Sequence, residues 1–162
     1  MIHSQHNLVT GEMQSRERYF VPASQSVRYI TKDVEKLYFC GYGSMVRLSV
    51  LNFSSFGFTQ LRSITIGNGC FQNVHDFVLD GMEELESVEI GHECFIVSNT
   101  RHKGSCRITN CPKLLTVEIR SENFAHFKEF ELSNANSLQS IKLGNSCFPK
   151  AESCILKGER KE

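Results

Sequence analysis

One frame, L-x-[S/T]-[I/V]-x-[I/L]-[G/R]-x-x-[C/N]-F, recurs four times in the second two-thirds of the chain and constrains the fold more than any other feature. It reads LRSITIGNGCF from Leu61, LESVEIGHECF from Leu85, LLTVEIRSENF from Leu114 and LQSIKLGNSCF from Leu138. A unit this short cannot bury its own apolar face, so the units must stack, and a stack of like units is a solenoid. The leading leucines are 24, 29 and 24 residues apart. The longer span carries its extra residues between Phe95 and Cys106, in the polar stretch IVSNTRHKGS, which suits a protruding loop.

Each unit holds two stretches of strict alternation. In the first, Ile64/Ile66, Val88/Ile90, Val117/Ile119 and Ile141/Leu143 point one way, while Ser63/Thr65, Ser87/Glu89, Thr116/Glu118 and Ser140/Lys142 point the other. In the second, Phe77/Leu79, Cys106/Ile108, Phe130/Leu132 and Cys154/Leu156 face inward. Stacking sets equivalent residues about 4.8 Å apart, giving two parallel ladders. Gly67, Gly91 and Gly144 stand where the chain leaves the first strand and needs a permissive backbone; the third unit has Arg120 there, which leaves that turn open.

The frame divides the chain into a polar, poorly ordered segment (1–18), a degraded N-terminal repeat or cap (19–60), a solenoid (61–158, in units 61–84, 85–113, 114–137 and 138–158) and a charged tail (159–162). Counting 24 back from Leu61 reaches Leu37, and LYFCGYG then places Cys40, Tyr42 and Gly43 in the slots of Ile64, Ile66 and Gly67. At the far end SCILKGERKE carries the last inward pair, Cys154/Leu156, with no visible capping unit after it. That open edge invites end-to-end association unless the tail shields it or the array is longer.

Cys70, Cys94 and Cys147 share one slot, which Asn123 fills in the third unit, and Cys106 and Cys154 share a second with Phe77 and Phe130. A residue that alternates with phenylalanine is chosen for apolar bulk, so these cysteines are expected to be buried, reduced thiols.

The frame resembles the leucine-rich repeat L-x-x-L-x-L-x-x-N/C-x-L at Leu61, Ile64, Ile66 and Phe71 and at the same offsets in the later units. The usual Asn/Cys slot holds Gly69, Glu93, Glu122 and Ser146, so the familiar asparagine ladder is missing. IGNGCF, IGHECF and LGNSCF are similar to the I-G-x-x-A-F signature of BspA-type leucine-rich repeats, with cysteine for alanine. The resemblance implies a β-rich repeat solenoid, a right-handed coil with parallel β ladders and little helix. It also implies protein binding, in several members adhesion or surface recognition, and no catalysis.

The remaining chemistry is sparse. Lys plus Arg and Asp plus Glu both total 18, so no net charge steers the chain to nucleic acid. No stretch has the apolar length of a membrane span or of a secretory signal, which points to a cytoplasmic protein. His92, Cys94, His102, Cys106 and Cys111 crowd into twenty residues, yet Cys94, Cys106 and Cys111 fall on inward slots and no C-x-x-C accompanies them. No phosphate loop, H-E-x-x-H or G-x-S-x-G appears, so neither a cofactor nor an enzyme is expected. Asn52-Phe53-Ser54 is a lone glycosylation sequon.

The candidate contact surface for a protein partner is the outward ladder Thr65, Glu89, Glu118 and Lys142, together with Asn99, Arg101, His102 and Lys103 of the loop at 97–105. Glu89 and Glu118 one rung apart repel, a cost that a basic partner would relieve. Adhesion at a cell surface and a spacer within a longer array are the alternatives.

Overall fold

Period-two alternation resolves into strands that, through the repeats, pair with the strand one coil away rather than with their neighbour in sequence. The computed structural model describes residues 13–15, 18–22, 30–40, 48–97 and 101–158. In chain order the strands are β1 (Met13–Ser15), β2 (Arg18–Pro22), β3 (Lys36–Cys40), β4 (Val50–Asn52), β5 (Ser63–Ile66), β6 (Asp76–Asp80), β7 (Ser87–Ile90), β8 (Gly104–Thr109), β9 (Thr116–Ile119), β10 (Phe127–Ser133), β11 (Ser140–Leu143) and β12 (Ser153–Lys157). One sheet runs β1-β2-β3-β5-β7-β9-β11, the other β12-β10-β8-β6-β4. Every pair but β1–β2 is parallel, so the chain winds as a β-solenoid of about five turns, with a short 3-10 helix at Phe53–Phe56 as the helical element among the described residues. Asn52 of the sequon caps that helix, its side-chain oxygen accepting from Ser54 N at 3.0 Å.

Inward residues stack in register. Ile64, Val88 and Val117, with Ile66, Ile90 and Ile119, form one wall; Phe77, Cys106 and Phe130, with Leu79, Ile108 and Leu132, form the other, all buried. The fifth coil departs from this. Leu143 and Leu156 hold the same slots but are 48% and 58% exposed, and Cys154 is exposed. Among the described residues β11 and β12 each have a neighbour on one side alone, and an inward slot is buried only between two coils.

The first coil sits in a different register from the one that counting suggests. Leu37 pairs with Ile64 and Phe39 with Ile66, so Val34, fully buried, takes the leucine slot and Cys40 lies beyond the strand's last inward residue. Tyr42 and Gly43 lie outside the described residues. The alternation of LYFC is equally regular in either frame, and the burial of Leu37 and Phe39 decides it. Ahead of them β2 adds in parallel to β3, and Met13–Ser15, in a stretch whose polarity suggested no order, turns back antiparallel on β2 and covers that sheet edge.

The turns are where residue chemistry is most specific. Gly67, Gly91 and Gly144 are not left-handed; they are required by close approach. A Cβ on Gly91 would stand 2.9 Å from Gly67 C, and one on Gly144 2.7 Å from Arg120 C. Arg120 holds the same slot without a left-handed backbone, its N donating to Ile90 O at 2.9 Å as the glycine amides do. The left-handed residues come later, at Gly69, Glu93, Glu122 and Ser146, and again at Phe71, Phe95, Phe124 and Phe148. A third set, Gly81, Asn110 and Asn134, follows the second strand. These conformations have a hydrogen-bonding purpose. Amides flanking the first strand donate to the preceding coil, as Gly91 N does to Ile66 O at 2.7 Å, whereas Gly69, Glu93 and Glu122 donate forward to His92, Ser121 and Asn145. Gly81, Asn110 and Asn134 likewise reach forward to Thr109, Ser133 and Lys157.

Phenylalanine at positive φ costs about 1–3 kcal/mol. Stacking offsets it. Ring centroids of Phe95 and Phe124 lie 4.6 Å apart and those of Phe124 and Phe148 4.5 Å, each pair within 5° of parallel. Burial and stacking of one ring are together worth about 2–4 kcal/mol.

Candidate functional site

The outer face of the seven-stranded sheet is the candidate site. Because β5, β7, β9 and β11 pair in register, their outward residues form two columns. Ser63, Ser87, Thr116 and Ser140 make a row of short hydroxyls; Thr65, Glu89, Glu118 and Lys142 make a row of longer side chains beside it. Lys36 and Tyr38 of β3 extend both columns. Arg62 and Glu86, paired at 3.2 Å, flank the hydroxyls on the other side. Short residues between long ones leave a trough of about 620 Å³, lined by these residues. Five strands at about 4.8 Å give it a length near 19 Å. Among the described residues the hydroxyls of Ser63, Ser87, Thr116 and Ser140 bond to no protein group, so its floor offers donors and acceptors to a ligand.

The carboxylates in the trough wall are already partnered. Arg120 reaches Glu89 at 3.2 Å and Glu118 at 3.7 Å, and Lys142 lies 3.9 Å from Glu118. The repulsion anticipated between Glu89 and Glu118 is relieved within the chain, and it gives no reason to look for a basic partner. Arg120, the residue that breaks the glycine slot, was visible in sequence as a departure but not as a clamp, because its reach to two coils depends on the stack.

The loop residues lie elsewhere. Arg101, His102 and Lys103 are exposed just before β8, and none of them lines the trough. Asn99 lies outside the described residues. The His102 ring stacks on His75 at 4.6 Å, and His75 Nδ1 sits 3.0 Å from Asp76, whose other oxygen accepts from Ser105 Oγ at 2.6 Å. Ser105 thus bonds to a carboxylate rather than to a histidine base, which is not a nucleophile's arrangement.

Most of the thiols face inward, and several are engaged. Cys94 Sγ donates to Gly67 O at 3.0 Å and Cys147 Sγ to Arg120 O at 2.9 Å, each a carbonyl of the preceding coil. Asn123 does the same with its amide, donating to Gly91 O at 2.7 Å, while its Oδ1 accepts from Cys94 N at 2.7 Å. This slot therefore demands a donor as well as small size, which corrects the reading from bulk alone. A donor ladder exists after all, one residue beyond the slot where the repeat frame placed it. Burial pushes the Cys94 thiol up to about 12 and Cys111 to about 11, and raises Cys106 as well. None of the seven cysteines is in a disulfide, and none of these three is a reactive thiolate at neutral pH. Among the described residues no three His, Cys, Asp or Glu side chains converge on a point that could hold a metal ion. No described helix is long and apolar enough to cross a membrane.

No family model matches this chain, and no curated protein or solved structure matches it either.

Proposed function

We propose that this chain is a non-catalytic protein-recognition module that holds an extended segment of a partner in the trough of its seven-stranded sheet, with the loop before β8 as a second contact. One observation carries the reading: a row of unengaged hydroxyls, about 19 Å long, laid on a rigid sheet between charged walls. An extended peptide rises about 3.3 Å per residue, so the trough accommodates about six residues. The walls are internally neutralised, which favours a ligand read by hydrogen bonds to backbone and neutral polar groups over one read by charge. Buried free thiols that donate to carbonyls suit a reducing compartment such as the cytoplasm. The likeness of the frame to BspA-type leucine-rich repeats supports binding and leaves surface adhesion as the variant reading.

Filling the trough floor tests the proposal. Ser87→Tyr with Thr116→Tyr adds bulk at exposed strand positions that tolerate aromatics. The parent chain is expected to retain a discrete partner from native lysate and the double variant, folded by circular dichroism, to lose it. Equal recovery by both would remove the trough from the interface.

A further inference from the structure

We infer that the corner where the inserted loop meets the approach to the second sheet is a docking site for an acidic segment of the partner. The inference deepens the recognition reading above and rests on it. Three basic residues occupy this approach in successive coils. Lys103 precedes Gly104 and His126 precedes Phe127, and Gly104 pairs with Phe127. His126 and Lys150 each stand two residues after a left-handed phenylalanine, and Lys150 Nζ lies 3.2 Å from His126 Nδ1. An ammonium has only hydrogens to offer, so in that contact the imidazole nitrogen accepts. Arg101 and the stacked pair His75 and His102 adjoin the row, so three of the chain's six histidines share this corner.

What distinguishes the corner is how its charges are met. Several cations elsewhere face carboxylates on adjacent coils: Arg62 meets Glu86, Lys113 meets Glu84 and Arg120 meets Glu89. At the corner the carboxylates are committed. Asp76 holds His75 and Ser105, Glu129 faces Arg107 at 3.6 Å, and Glu152 is taken by Lys128 at 2.8 Å. The Glu152 carboxyl is held below its usual range chiefly by Lys128, with Lys103 contributing least. Among the described residues, neither Lys103 nor Lys150 has a carboxylate within ion-pair distance. Lys103 and Lys150 stand two rungs apart, near 10 Å, and alternate side chains of an extended acidic run recur about every 7 Å. Two carboxylates of such a run span the row and supply the counter-charges that the fold leaves out.

The probe is a fluorescent poly-glutamate peptide, with poly-glutamine beside it, titrated with the full chain at low salt and read by anisotropy. The parent is expected to bind poly-glutamate and not poly-glutamine, and Lys103→Glu with Lys150→Glu to weaken binding about tenfold or more. Lys157→Glu, exposed at the far end of β12, should leave affinity unchanged. If the reversals upset folding, Lys103→Gln with Lys150→Gln carries the same test with a several-fold loss. No binding by folded parent, no loss in either lysine pair, or an equal loss in Lys157→Glu would overturn the inference. Partner capture that depends on Ser87 and Thr116 but not on these lysines would sink the corner and leave the trough standing.

Discussion

At the scale of single residues, the slot shared by Cys70, Cys94, Asn123 and Cys147 shows how a repeat position is selected by two requirements at once. It must be small enough to fit between coils, and in Cys94, Asn123 and Cys147 it gives a hydrogen to a carbonyl of the coil before. Asn123 meets both and also takes the hydrogen of Cys94 N. Asn123→Ala would leave a buried amide and a buried carbonyl unpaired, a loss of about 2–4 kcal/mol in chemical denaturation. Asn123→Cys should recover part of it, and equal losses would deny the slot its donor role. The thiols predict a pH effect of definite sign. With an unfolded value near 9.0, Cys94 at about 12 and Cys111 at about 11 keep their protons in the native state while the unfolded chain releases them. Their contribution is complete below pH 9 and declines as pH rises toward 11 and 12, by up to about 1.4 kcal/mol per unit for each thiol. Thermal midpoints measured across that window should fall less steeply in Cys94→Ala with Cys111→Ala than in the parent, and parallel slopes would contradict it.

At the scale of the element, two kinds of glycine do different work in the turns. Gly91 is needed because the coil below is too close for a Cβ, whereas Gly81 has nothing within 4 Å and is needed for a φ of 65°. Asparagine holds the same slot as Gly81 at Asn110 and Asn134. Gly81→Asn should therefore cost well under about 1 kcal/mol, while Gly91→Ala should cost about 2 kcal/mol or more, because backbone atoms of Gly67 and Asn68 stand in the way beside the Asn68 side chain. Denaturant midpoints compare the two directly, and similar losses would mean that backbone conformation rather than close approach governs the first turn. This contrast also marks what the sequence could reveal. The strands, their inward and outward faces and the loop position were legible, because alternation and a repeat period report burial directly. Glycine in the turns was legible as a need but not as a reason, since approach between coils is a property of the stack. The left-handed phenylalanines were invisible, because no local preference predicts a bulky residue there; only the ring stack makes the conformation affordable. The trough hydroxyls were in plain view as the [S/T] of the frame, and their role appears once the columns beside them are known to be long.

At the scale of the whole molecule, a solenoid has no single centre, and each coil is stabilised by the coils it touches. The forward-donating amides make this dependence directional: Glu122 N and Asn134 N have acceptors because the fifth coil supplies Asn145 O and Lys157 O. Ser146, left-handed like its counterparts, has no described coil ahead of it to receive its hydrogen. Among the described residues the two ends are unlike in another respect, since β1 covers one edge of the seven-stranded sheet and no strand pairs with the outer side of β11. Stability should therefore be graded along the stack rather than uniform. In native-state hydrogen exchange the amides of β7 and β9, flanked on both sides, are expected to exchange through global unfolding, those of β11 and β12 through local opening several kcal/mol below it. Phe148 closes the ring stack over Phe124, so Phe148→Ala should loosen β11 and β12 and expose Glu122 N, while β5 to β8 keep their protection. If instead protection fell equally in all five coils, the stack would be one cooperative unit, and the open coil would draw its stability from the entire core rather than from its neighbour.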